Sequence, residues 1–247
     1  PLMYIKKLQK IAEKNTPEIQ ANIKPGTHRH NAADSLQGVN NIGIELGVAQ
    51  GVFSKKMIET KKFSHFYGVD MYSDTIHTTE EYKLALQKVG LLENYKLLRM
   101  TFNDALDLFE DNFFDFIYID GFAHTGEEGG ETLSKWYKKL KGGGVFSGDD
   151  YHSDWPLVMW AVNNFAKQTA CSLSITDKIG DTPYCQYPSW FIKKEEYNED
   201  FIIPELLKNL ASNEKGRIKR RRIWSSKIRQ LLRINTIKLK IKKILKK

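Results

Sequence analysis

The stretch Ile42-Gly43-Ile44-Glu45-Leu46-Gly47-Val48-Ala49-Gln50-Gly51-Val52-Phe53-Ser54 decides the fold. It reads as an apolar strand that ends on an acidic residue, opens into a glycine turn and enters a helix. A bare G-x-x-x-G spacing carries little by itself, because glycines make turns and cap helices in many settings. Three later segments repeat the pattern. Phe66-Tyr67-Gly68-Val69-Asp70 ends on a second carboxylate, Phe114-Asp115-Phe116-Ile117-Tyr118-Ile119-Asp120 on a third, and Gly144-Val145-Phe146-Ser147-Gly148-Asp149-Asp150 on two more. Strands with acids at their carboxyl ends, separated by helical stretches, are what an open parallel sheet needs to bind a ligand along one edge.

Working outward, strands are expected at residues 42–46, 66–70, 95–100, 114–119 and 145–147, at spacings suited to βαβ units. Right-handed crossovers would then set the acidic ends on one edge. Residues 155–167 read as a further helix, and 172–176 with 189–193 as a closing pair of strands joined by a Gly/Asp/Pro-containing loop. At the start, Ile5, Leu8 and Ile11 have helical spacing, and the segment from there to Asn40 shows no pattern. This leader either covers the ligand edge or packs on the sheet. His28 and His30 stand in a polar loop, a setting that favours solvent or substrate over a metal ion.

An apolar fraction of 41% with 12% aromatics, in 247 residues, calls for one packed α/β domain with appendages. No run of about 18 apolar residues suggests a membrane span, and the N-terminus lacks an apolar signal core, so a cytoplasmic body is expected. Cys171 and Cys185 have no metal-ligand spacing and read as reduced, partly buried thiols. The net charge of +8 hides a division. From Lys215 to Lys247 there are 15 of the 38 Lys and Arg and none of the 30 Asp and Glu, so the rest of the chain is acidic.

The order E-x-G-x-x-x-G, G-V-D, F-D-F-I-Y-I-D-G and L-K-G-G-G-V-F-S-G-D-D-Y resembles the class I S-adenosylmethionine-dependent methyltransferases. Within them it most resembles the metal-dependent sugar and small-molecule O-methyltransferases (methyltransferase family 24-like), whose fourth and fifth strands end in D-G-x-H and D-D. The resemblance covers roughly residues 40–193. It implies a Rossmann-like α/β fold, a seven-stranded methyltransferase sheet with helices on both faces and an antiparallel seventh strand. The organisation expected is a helical leader or lid at 1–40, the methyltransferase domain at 41–194, a linker or helix at 195–214, and a basic amphipathic helical tail at 215–247.

Gly47 and Gly51 would let the backbone approach S-adenosylmethionine, and the amides opening the next helix would face its methionine carboxylate. Glu45 matches the family's first acid and would orient the turn and the methionine amine. Asp70 would accept both ribose hydroxyls, with Met71, Tyr72 and Phe102 flanking the adenine or simply packing in the core. Asp120 would serve the cofactor and, with Asp149 and Asp150, form a trio whose mutual repulsion in a partly desolvated cleft demands a cation or a proton. All-oxygen ligation selects a hard ion, most simply Mg2+, and the matching positions in the resembled enzymes bind one. Asp149 or Asp150 could instead cap a turn. His124 is the expected general base. It stands four residues after Asp120, one more than the resembled pattern has, and His152 is the reserve.

The leading expectation is methyl transfer to a hydroxyl of a sugar, in a cell-surface glycan or its lipid-linked precursor, with a divalent metal assisting. Its competitor is an RNA methyltransferase using the basic tail, although no N-P-P-Y-type motif follows Asp120. A partner-binding scaffold is a third, non-enzymatic class. In the tail, Trp224, Ile228, Leu231, Ile234, Ile237, Ile241 and Ile244 recur at intervals of three or four. Such a stripe among Lys and Arg residues suits an anionic membrane surface, placing the protein on the inner membrane face. Packing on the acidic body or a homo-oligomer partner, and nucleic-acid binding, are the alternatives.

Overall fold

The computed structural model describes residues 2–73, 77–180, 185–195 and 201–244, with the backbone alone given at 2–4 and 226–244. Eight strands form one sheet: β1 (Asn22–Lys24), β2 (Asn41–Leu46), β3 (Phe63–Val69), β4 (Tyr95–Leu98), β5 (Phe114–Ile119), β6 (Leu140–Gly148), β7 (Ser174–Thr176) and β8 (Trp190–Lys193). Their order is β1-β7-β8-β6-β5-β2-β3-β4, and every pairing is parallel except those of β8 with β6 and β7. The helices are α1 (Leu2–Asn15), α2 (Val52–Glu59), α3 (Thr79–Ala85), α4 (Phe102–Leu106), α5 (Gly126–Gly129), α6 (Glu131–Tyr137), α7 (Pro156–Thr169) and α8 (Glu205–Ile244).

The central strands are near-continuous apolar runs because both of their faces are covered. On β5, Phe116 and Tyr118 pack with Phe53 and Met57 of α2, whereas Ile117 and Ile119 join Trp136 of α6 and Phe165 of α7. The order reverses between β2 and β5, whose neighbours lie on opposite sides, and such a reversal opens a crevice at the carboxyl ends of the strands.

The strand count differs from the expected seven, and both ends of the chain gain detail. The sheet has eight strands because the leader contributes β1, which is only three residues long and exposed throughout, so it leaves no period-2 signature. The rest of the leader is equally structured: Asp177 accepts the amides of Gly26 and Thr27 at 3.0 Å each, and residues Arg29–Ser35 form a 3₁₀ turn whose Ala32 and Ala33 are fully buried. The segment expected as a linker or helix at 195–214 and the helical tail expected from 215 share one helix, α8, which is anchored by buried Leu207, Ala211 and Glu214. The loop joining β7 to β8 lies partly outside the described residues, as do the tail side chains from Ile228 onward.

Candidate active site

Backbone hydrogen bonds continue the sheet past its carboxyl edge and set the acids in a row. Asp70 donates its amide to Leu98, Gly47 to Val69, Asp120 to Leu46 and Asp149 to Ile119, all at 2.8–3.1 Å. The turn after β2 must be glycine: at Gly47 φ is +98°, and a Cβ there would overlap the Asp120 carbonyl oxygen at 1.7 Å. Asp70 organises this turn directly. One carboxylate oxygen accepts the amides of Val48 and Ala49 at 3.0 Å, and the other accepts that of Tyr72 at 3.2 Å.

Glu45 lies beneath the turn at 1% exposure. It accepts the Ser54 hydroxyl, which also meets the Tyr95 hydroxyl at 2.9 Å, so this acid ties β2 to the first turn of α2. Burial pushes its pKa up to about 8, against the pull of Arg29 and of the Ser54 hydrogen bond.

Arg29 is the cation the acidic row requires. It enters from the leader, donates from Nη1 to Asp149 at 3.0 Å and from Nη2 to Asp120 at 3.2 Å, and lies over the rings of Phe53 and Tyr118 at 4.7 and 5.3 Å. Flat, weakly hydrated guanidinium suits such a buried, stacked position. Ser189 donates to the other Asp149 oxygen at 2.8 Å. Burial raises both carboxyl pKa values, Asp149 to about 7, with Arg29 opposing the shift in each. Asp150 stands apart. Its backbone is left-handed (φ +61°), burial and its acidic neighbours push its pKa up to about 8, and no hydrogen bond or ion pair reaches its carboxylate among the described residues.

These groups line one cavity of about 770 Å³, within the usual range for small-molecule sites. Glu45, Gly47, Asp70, Met71, Phe102 and Asp120 line it, as do Asp149 and Asp150, and Gly51 caps the helix below the turn with φ +74°. The expected histidines do not. His124 lies on the α8 side of its 3₁₀ turn, its ring edge-on to Trp155 with centroids 4.6 Å apart, and neither it nor His152 is among the lining residues. The extra residue between Asp120 and His124 belongs to a tight turn that carries the ring past the cavity. Behind it, α5 is a left-handed turn, with Glu127 and Glu128 at φ +52° and +50°.

A Gly turn at the switch point, a carboxylate closing the next strand, and an open cavity along the carboxyl edge are the arrangement of a Rossmann-like methyltransferase fold. Residues 41–151 match the family model described as "Methyltransferase domain". Among solved structures, the fold is similar to spermidine synthase from Thermotoga maritima, 17% identical, with a TM-score of 0.52 over 74% of this chain and 73% of that one. It is similar also to cofactor-bound Rv0187 from MTB, 13% identical, with the same TM-score over 80% and 90%. A search of curated proteins finds no match. No helix among the described residues is long and apolar enough to cross a membrane.

The residues present fit S-adenosylmethionine: Gly47, Val48, Ala49, Asp70, Met71 and Phe102 share the cavity wall at the switch point, and the cofactor would supply a methyl group on a sulfonium. They do not fit the expected Mg2+. Two of the three carboxylates are already paired with Arg29, and no cluster of three or more His, Cys, Asp or Glu suited to a metal occurs among the described residues. The demand for a cation was readable from the acids. Its source was not, because Arg29 lies 91 and 120 residues before its partners and the eye goes to the flanking histidines. Sequence reading also missed Lys215, Lys219 and Arg222, which line the cavity from α8.

Proposed function

We propose that this chain transfers a methyl group from S-adenosylmethionine to a hydroxyl of a sugar, in a cell-surface glycan or its lipid-linked precursor, with Arg29 in the charge-balancing role first given to a metal. The observation that carries the reading is the Asp150 carboxylate. It lines the cavity without a partner among the described residues, beside Trp155 and Tyr187, whose ring centroids are 5.7 Å apart. A carboxylate accepts hydroxyl hydrogen bonds, and aromatic faces suit the C–H surfaces of a sugar. When the acceptor oxygen bonds the methyl carbon, the sulfonium–methyl bond would break, leaving S-adenosylhomocysteine, and the hydroxyl proton would pass to Asp150, which takes the general-base role expected of His124. A nucleic-acid acceptor has only the basic tail in its favour.

Turnover with a panel of nucleotide sugars and lipid-linked oligosaccharides, read as a methyl mass increment on the product, tests this. Asp150→Asn should lower kcat by about 10²–10⁴-fold and His124→Ala by less than about tenfold. Failure of every sugar, or full activity of Asp150→Asn, would sink the reading.

A further inference from the structure

The basic residues of α8 are not all surface decoration. Lys215, Lys219 and Arg222 fall at i, i+4 and i+7, one face of the helix, and all three line the same cavity as Asp70 and Asp149, as do Ile218 and Ile223. That face cannot turn away. Leu207 and Ala211 are held in the main core, and buried Glu214 is bridged by Arg217 at 2.7–3.1 Å. The helix sits close because Gly129 has no side chain: a Cβ there would stand 3.0 Å from Ala211 Cβ and 3.2 Å from Lys208 Cα. The left-handed α5 turn presents Glu128 to Lys215 at 2.7 Å, which fixes the first cation, and Lys219 makes no hydrogen bond or ion pair among the described residues. S-adenosylmethionine carries a single carboxylate, fewer charges than three cations on one helix face would match, so the cationic wall on α8 has room for another anion.

We propose that Lys215, Lys219 and Arg222 form a subsite for a phosphate or diphosphate carried by the acceptor, so that the substrate is a phosphate-bearing sugar and α8 sets this specificity. The inference deepens the reading of the acceptor as a sugar, but phosphate recognition stands on its own geometry. The two sources of such a group are a soluble nucleoside diphosphate and a lipid-linked diphosphate.

The test uses the full chain saturated with S-adenosylhomocysteine. Inorganic pyrophosphate is titrated by calorimetry into the wild type, into Lys219→Glu/Arg222→Glu, and into Lys238→Glu/Lys242→Glu, which makes the same charge change about 29 Å further along the helix at 1.5 Å per residue. The expected result is saturable binding that weakens at least about tenfold in the first variant alone, with S-adenosylhomocysteine affinity unchanged in both. Equal losses in the two variants, or no binding by the wild type, would overturn the proposal. Uridine diphosphate and vesicles of phosphatidylcholine with a polyprenyl diphosphate lipid then separate the sources: whichever loses binding in the cavity variant supports the subsite, and retention of both overturns it. Because none of these readouts requires methyl transfer, pyrophosphate binding with no sugar methylated would defeat the sugar reading and leave the anion subsite standing.

Discussion

Arg29 holds the acidic row together, and removing it would leave Asp149 and Asp120 without their shared cation in a largely buried place, their side chains 5% and 27% exposed. Arg29→Ala should destabilise the fold by about 3 kcal/mol in urea titrations, with part of that recovered by adding Asp149→Asn. Because the guanidinium does the neutralising, exhaustive chelation should leave wild-type turnover unchanged. A destabilisation below about 0.5 kcal/mol, the range of ordinary surface substitutions, would deny Arg29 this role. Glu45 gives the pH signature. Below its ordinary value near 4.5 it is protonated in both states; above that, the unfolded chain loses the proton while the fold keeps it up to about 8. Its stability contribution is therefore complete at low pH and lost as pH rises through that window. Thermal melts should show Tm falling between about pH 5 and pH 8.5, with a shallower fall in Glu45→Gln; identical slopes would mean that Glu45 is ionised in the native protein.

Elements differ in how plainly they could be read. β2, β3, β5 and β6 are apolar runs ending in acids, so their existence, order and shared edge were legible, although β6 starts five residues before the expected 145 because Lys141 to Gly144 are polar or small. β1 was hidden by brevity. Helix α8 was legible as a helix but not as a cavity wall, since the direction its inner face points depends on where Leu207 and Ala211 dock. That docking changes the meaning of a truncation: a cut near Asn213 would remove the wall, whereas one after Ser225 spares it. The shortened chain should keep its S-adenosylhomocysteine affinity and lose sedimentation with liposomes containing anionic lipid, if the outer segment meets a membrane surface as proposed for the tail. Equal sedimentation of both chains at physiological salt would refute a membrane role for residues 226–247.

At the scale of the whole molecule, an acidic sheet edge faces a basic helix across one cavity, and the reaction proposed for it uses both: acids to organise the turn and take a proton, cations to hold an anionic acceptor. The class of enzyme was legible because its signature is local, four strand ends each closing on a carboxylate. The acceptor was not, because the residues proposed to face it come from the leader, from the loop after β6 and from α8, and only the folded chain brings them to one cavity. The most direct test of the central claim is calorimetric titration of S-adenosylhomocysteine into the wild type and Asp70→Ala. We predict one site per chain, weakened by about 1.5–3 kcal/mol in the variant, the range for hydrogen bonds to a charged group. No binding by the wild type, or equal affinity in both proteins, would contradict the assignment of this cavity as the cofactor site.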